Sequence, residues 1–191
     1  MTNKPIVLFA QINSTYKKLD CDVYDIERNA LTCTRIEAAI YHPPCRTWGR
    51  LYKLCNWEPA EHWLAVWSIL RIWRYGGLLE HPAGSKLWKL MKLPIPGSGY
   101  DIHGGFSLSI DQSWFGHKCK KNTWLYIKGI NQNEIPNYEL NFDCVTHSIS
   151  SGSKTSNLLV VSKIWREKTP VKLALFLIEI VNKINLKTTT L

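Results

Sequence analysis

Ala38-Ala39-Ile40-Tyr41-His42-Pro43-Pro44-Cys45 and Gly77-Leu78-Leu79-Glu80-His81-Pro82 are the two stretches on which the reading of this chain turns. Each begins as a short apolar run and stops abruptly in His, Pro, Cys or Glu. Apolar runs of this length, bounded by proline or glycine, read as buried strands. Between them Trp63, Val66, Trp67, Leu70 and Trp73 recur at i, i+3, i+4 and i+7 spacing, and Gly76-Gly77 closes the pattern. That is the period of an amphipathic helix with a glycine stop. Strand, helix and strand in this order imply neighbouring parallel strands.

Working outward, Ile6–Ala10 reads as a first buried strand and Cys21–Asp25 as a second that ends in acidic groups. Ser85–Met91 reads as a short helix, followed by a Gly- and Pro-rich loop from Pro94 to Gly105. Phe106–Ile110 and Thr123–Ile127 alternate like strands. Residues 131–157 are polar and pattern-poor and read as an irregular or flexible insertion, and Leu158–Ser162 as a last strand. Thr169-Pro170, a capping hydroxyl before a first-turn proline, opens a helix to about Ile184 whose Leu173, Leu175, Phe176, Leu177, Ile180 and Val181 are apolar over most of its girth. The expectation is a single Rossmann-like α/β domain, residues 1–191, with a mostly parallel sheet covered by helices on both faces.

The chain has 191 residues, 45% of them hydrophobic and 20% charged, ordinary values for a globular domain. Nine tryptophans and a net charge of +9 (24 Lys+Arg against 15 Asp+Glu) are not ordinary. Such a surplus draws a protein toward polyanions, nucleic acid above all; plain solubility is the competing reading. Lys86-Leu87-Trp88-Lys89 sets basic groups beside an aromatic ring, as suits flat bases on a phosphate backbone. It equally suits Lys stems lying over a core edge. The cysteines at 21, 33, 45, 55, 119 and 144 form no Cys-x-x-Cys pair. With no signal-peptide core and no membrane-length apolar run, the expectation is free thiols in a cytoplasmic, reducing setting with no membrane partner.

In an open parallel sheet, ligands sit beyond the carboxyl ends of the strands. Three expected strands end in chemistry: Ala10–Ser14, His42–Cys45 and Glu80–Pro82. Two prolines stiffen the mount of Cys45, and His42, Arg46 and Arg50 nearby are placed to favour its thiolate. A small buried residue after a proline turn is the plainer alternative. Glu80 closes an apolar run where a charge is unexpected; it either serves a ligand or pairs with a cation. A thiol and a carboxyl together suit a pyrimidine, the sulfur adding to carbon 6 and the acid serving nitrogen 3. His42/Cys45 and His117/Cys119 lack a recognised zinc spacing, so no metal is expected.

This layout resembles that of the DNA cytosine-5 methyltransferases: Cys after Pro beyond one strand, Glu-x-Pro on the next. It is closer still to small phage-encoded methylase-like proteins, through His42-Pro43-Pro44-Cys45, Glu80-His81-Pro82, Phe115-Gly116-His117-Lys118-Cys119-Lys120-Lys121-Asn122-Thr123 and Arg166–Pro170. The resemblance implies a methyltransferase-like fold, Cys45 as nucleophile and Glu80 as acid. It implies S-adenosylmethionine held by Phe9, Asn13, Ser14 and Asp25, and substrate contacts from His42, Arg46, Trp48, Arg50, His81, His117 and Lys121. Phe9–Ser14 stands where the family has a Gly-rich loop and contains no Gly, so side chains there take over backbone work. No target-recognition domain and no Gln-x-Arg-x-Arg run are seen. Two functions stand open: a phage nucleobase-modifying protein, or a catalytically inactive phage counter-defence protein that binds or sequesters a nucleotide signal or nucleic acid.

Overall fold

The computed structural model describes residues 4–49, 52–54, 56, 58–139, 141, 145–148 and 159–189. Its centre is a six-stranded sheet in the order β2-β1-β3-β4-β6-β5. The strands are β1 (Ile6–Leu8), β2 (Asp22–Val23), β3 (Ala39–Tyr41), β4 (Gly77–Pro82), β5 (Gly105–Asp111) and β6 (Asn122–Lys128). β2, β1, β3 and β4 run parallel, while β6 is antiparallel to both β4 and β5. The chain leaves β1 toward β2 and returns to the other side of β1 as β3, so the crossover point lies at the β1/β3 carboxyl ends. The architecture is α/β with a mostly parallel sheet, as expected.

Helix α1 (Pro59–Tyr75) covers one face and α4 (Val171–Thr189) the other. Alternation along the strands divides the core between them. Val7, Ile40 and Leu78 pack with Leu173, Leu177, Ile180 and Val181 of α4. Leu8, Tyr41 and Leu79 pack with Ala65, Ile69 and Ile72 of α1. Gly76 ends α1 with φ 79°, in the left-handed region glycine favours. A Cβ on Gly77 would stand 2.4 Å from the Ala39 carbonyl oxygen, so β4 can begin flush against β3 only with glycine there.

The buried stripe of α1 corrects the sequence reading. Ala65, Ser68, Ile69 and Ile72 face the sheet, while Trp63 is 64% and Leu70 51% exposed. Small and aliphatic side chains let the helix sit close to the strands. Trp67 and Trp73 straddle the seam, Trp67 edge-on to Phe9 and Tyr41, Trp73 donating its indole N–H to the Tyr126 hydroxyl at 3.0 Å. The bulkiest residues of a helix need not mark its buried face. Leu175 of α4 is likewise half exposed.

α2 (Leu87–Leu90) follows β4 as expected. The last expected strand is not part of the central sheet: β8 (Leu159–Val160) pairs with β7 (His147–Ser148) in a separate two-stranded sheet. Of the segment expected to be irregular or flexible, 131–157, residues 140, 142–144 and 149–157 lie outside the described residues. A short helix, α3 (Lys163–Glu167), which periodicity had not marked, is capped by the Ser162 hydroxyl and precedes α4. The Thr15 hydroxyl donates to the Thr169 carbonyl at 2.8 Å, tying the start of α4 to the loop beyond β1.

Candidate functional site at the carboxyl ends of β1, β3 and β4

Tyr41 of β3 pairs in register with Leu79 of β4, so the next residues, His42 and Glu80, stand side by side on the α4 face. His42 Nδ1 lies 3.0 Å from Glu80 Oε2, and His42 Nε2 lies 3.0 Å from the Tyr16 hydroxyl. Gln112 Nε2 donates to Glu80 Oε1 at 2.8 Å and to Thr123 Oγ1 at 3.1 Å. Both carboxylate oxygens are thereby held. Burial alone would raise the Glu80 pKa, but the His42 hydrogen bond and the Lys121 charge outweigh it and bring it down to about 2. Glu80 is therefore an anion at neutral pH. Nδ1 of His42 donates to it, and in the neutral imidazole Nε2 accepts from Tyr16. Burial first, then the Glu80 charge, pushes the Tyr16 phenol well above its usual range.

Cys45 lies on the surface beyond β3. Although its residue surface is open, the protein packed beneath it desolvates the sulfur. That desolvation and the Glu80 charge raise the thiol pKa, with Lys121 pulling the other way. The resting form at neutral pH is the thiol, not the thiolate. Glu167 at the end of α3 also acts on it, and Gln11 beyond β1 donates to Glu167 at 3.2 Å. The three strand ends thus bring together Cys45, His42, Glu80, Tyr16 and Lys121. Lys121 has no direct side-chain ion pair or hydrogen bond among the described residues, yet its charge reaches both Glu80 and Cys45.

Other expected contacts are placed elsewhere. The Arg46 guanidinium is forked onto Glu61 of α1, its Nε at 2.7 Å, and so braces the Cys45 loop. Trp48 is buried, donates its backbone N–H to the Cys45 carbonyl at 3.0 Å and stacks on His62 with ring centroids 3.8 Å apart. Arg50 lies outside the described residues. His81 alternates to the α1 face, away from Glu80, fully buried, with both ring nitrogens unpartnered among the described residues and its pKa lowered to about 4 by burial. His117 is buried; its Nδ1 accepts from the Cys119 N–H at 3.1 Å and its Nε2 donates to the Trp165 carbonyl at 3.1 Å. Burial lowers its pKa, and it is a strut between the β5–β6 turn and α3.

The residues expected to hold S-adenosylmethionine do not fit that group as they stand. Asp25 Oδ1 accepts from the Glu27 and Arg28 N–H groups at 2.9 and 3.1 Å, and Oδ2 pairs with Lys17 at 2.5 Å. Lys17 chiefly, and those two N–H groups, hold the buried Asp25 carboxyl below its usual range. Both oxygens are thus engaged within the protein, and the carboxyl is buried. Ser14 Oγ accepts from the Tyr16 N–H as a cap. Phe9 turns its ring onto Trp67, and only Asn13 is exposed and uncommitted. Where a glycine would be at ease, Phe9 itself takes a left-handed φ of 62°.

Tyr16, Gln112 and Thr123 were not foreseen, since each becomes part of the site only through tertiary pairing. Two surface cavities lie nearby, and neither is lined by Cys45 or Glu80. One of about 580 Å³ flanks β2, but its cations Lys4, Lys17, Arg28 and Arg35 are each paired with a carboxylate. The other, of about 190 Å³, lies between the Cys45 loop and α1. Among the described residues no group of three or more His, Cys, Asp or Glu is arranged to hold a metal. No helix among them is long and apolar enough to cross a membrane. Cys21, Cys33, Cys45 and Cys119 are free thiols. No family model, curated protein or solved structure matches this chain.

Proposed function

We propose that the strand-end cluster receives a pyrimidine base of a nucleic acid or nucleotide, and that the chain is a nucleobase-modifying protein of the DNA cytosine-5 methyltransferase kind. The observation that carries this is that Cys45, on the loop beyond β3, lies near enough to Glu80 of the adjacent parallel strand β4 for the carboxylate's charge to raise the thiol. Lys121 beside them supplies the cation that a phosphate requires.

The step available to these residues needs nothing beyond the base and water. The Cys45 thiol gives its proton to water as the sulfur bonds carbon 6 of cytosine. The C5–C6 π pair shifts to C4–C5, and the C4–N3 π pair takes a proton from water at N3, where the Glu80 anion faces the N–H so formed. Carbon 5 of the resulting enamine is nucleophilic. In deuterated water it takes a deuteron, and elimination of the sulfur with loss of the original hydrogen leaves deuterium at carbon 5. The S-adenosylmethionine expectation is not carried into this step, because Asp25 and Ser14 are already engaged.

The second reading is a catalytically inactive binder, such as a phage counter-defence protein that sequesters a nucleotide signal or nucleic acid. It draws on the same spent cofactor contacts and on the protonated resting thiol. Deuterium incorporation at cytosine carbon 5, followed by mass spectrometry of a short oligonucleotide, separates the two. Incorporation that vanishes in Cys45→Ser supports the enzyme. Binding of the oligonucleotide with no exchange, unchanged by Cys45→Ser, supports the binder. The absence of both would end the nucleobase reading.

A further inference from the structure

The 190 Å³ cavity between the Cys45 loop and the first turns of α1 is lined by Thr47, Tyr52, Pro59, His62 and Trp63. Its construction is unlike that of an ordinary core gap. Trp48 and His62 form a stacked pair at 3.8 Å, and Trp63 meets His62 edge-on at 6.0 Å. Trp63 is 64% exposed, although a helix has no conformational need for an indole in solvent. The Thr47 hydroxyl is buried at the lining and has no hydrogen-bond partner among the described residues, and the adjoining Trp48 indole N–H has none there either. An unpaired buried hydroxyl costs stability unless something supplies its partner. Lys86 lies 4.2 Å above the Tyr52 ring, and Lys53 is exposed on the same turn.

We propose that this pocket takes a second nucleobase, the neighbour of the one at Cys45 and Glu80, so that the ligand is a single-stranded nucleic acid rather than a free nucleotide. This inference rests on the reading of the strand-end cluster as a base site. Thr47 is two residues from Cys45, and the Arg46–Glu61 ion pair clamps that short loop onto the helix carrying His62 and Trp63. The two sites therefore sit on the two sides of one stiff loop. A flat ring is the shape that fits between aromatic side chains, and its polar edge answers the Thr47 hydroxyl. Lys86 and Lys53 suit the phosphate that links two nucleotides, in keeping with the chain's net charge of +9. A free nucleotide has only one base and leaves one of the two sites empty. A duplex keeps its bases stacked on one another and cannot offer two of them to opposite sides of a loop.

The test compares the tetranucleotide (dC)4 with the mononucleotide dCMP, by fluorescence anisotropy and calorimetry. The intact protein is expected to bind (dC)4 the more tightly. Trp63→Ala should weaken (dC)4 about ten-fold, the loss of one stacking contact of ~1.4 kcal/mol, and leave dCMP unchanged. Trp63→Phe should restore part of the loss, and Thr47→Val should weaken (dC)4 without affecting dCMP. Thermal melting of each variant checks the fold, and Trp63 is exposed enough for its removal to leave the core intact. If Trp63→Ala and Thr47→Val bind (dC)4 as the parent does while Glu80→Gln and Lys121→Ala weaken it, the pocket assignment is wrong and the strand-end reading survives. If the parent binds neither ligand at millimolar concentration, the strand-end reading fails and this inference fails with it.

Discussion

His42 Nδ1, at the first position beyond β3, and Glu80 Oε2, on the neighbouring strand β4, stand 3.0 Å apart, and this contact sets the charge at the site. With Glu80 held as an anion, a negative charge sits beside Cys45 at all ordinary pH values. That charge, with burial, keeps the thiol in its protonated form at neutral pH.

Glu80→Gln should therefore make Cys45 more reactive. Removing the anion leaves burial, with the weaker Glu167 charge, as the raising influences against Lys121, so the thiol pKa falls. Iodoacetamide labelling at pH 7.5, read at the Cys45 peptide by mass spectrometry, should speed up several-fold in Glu80→Gln and slow in Lys121→Ala. Equal rates in all three proteins would show that Glu80 does not govern this sulfur. Cys45→Ser supplies the background from the other thiols.

Acid should destabilise the fold in two stages. His81 is buried neutral with its pKa at about 4, below the unfolded value of 6.5, so the unfolded chain takes up a proton first. Its stabilisation is complete above pH 6.5 and falls as pH drops from 6.5 to 4, by up to about 3 kcal/mol. Glu80 acts lower: its stabilisation is complete above pH 4.5 and is lost as pH falls toward about 2. Urea unfolding across pH 3 to 8 measures both. His81→Leu should flatten the upper stage and Glu80→Gln the lower, and an unaltered upper stage in His81→Leu would show that His81 is not its source.

Phe9 provides a test of backbone strain. At φ 62° a side chain is disfavoured, so Phe9→Gly loses the Trp67 contact but relaxes the turn, whereas Phe9→Ala loses the contact and keeps the strain. Phe9→Gly should be more stable than Phe9→Ala by roughly 1 kcal/mol, the reverse of the usual order. The usual order in urea melts would mean that the turn is not left-handed in solution.

Much of the frame was legible along the chain. Ile40, Leu78 and Leu79 sit in short apolar runs that only buried strands accommodate, and Pro43 and Gly76 bound their elements for local steric reasons. The βαβ order then places His42 and Glu80 at neighbouring strand ends. The buried stripe of α1 was not legible, because tryptophan and leucine obey the same period as the smaller Ala65, Ser68 and Ile69 that the sheet selects. The antiparallel insertion of β6 between β4 and β5 depends on which edges remain unpaired when the sheet assembles, and no local pattern encodes that.

The same division holds at the site. Sequence by itself determined that a thiol, a carboxylate and an imidazole stand at strand ends, since strand period and proline stops act over a few residues. Only the tertiary structure decided what those groups are. Tyr16 and Gln112 reach His42 and Glu80 across separations of 26 and 32 residues, and His42 and Lys121 fix the carboxylate as an anion. Lys17 and two backbone N–H groups occupy Asp25, and strand alternation turns His81 to the opposite face from its neighbour. Charge state and availability depend on burial and on partners distant in sequence, and these exist only once the chain has closed upon itself.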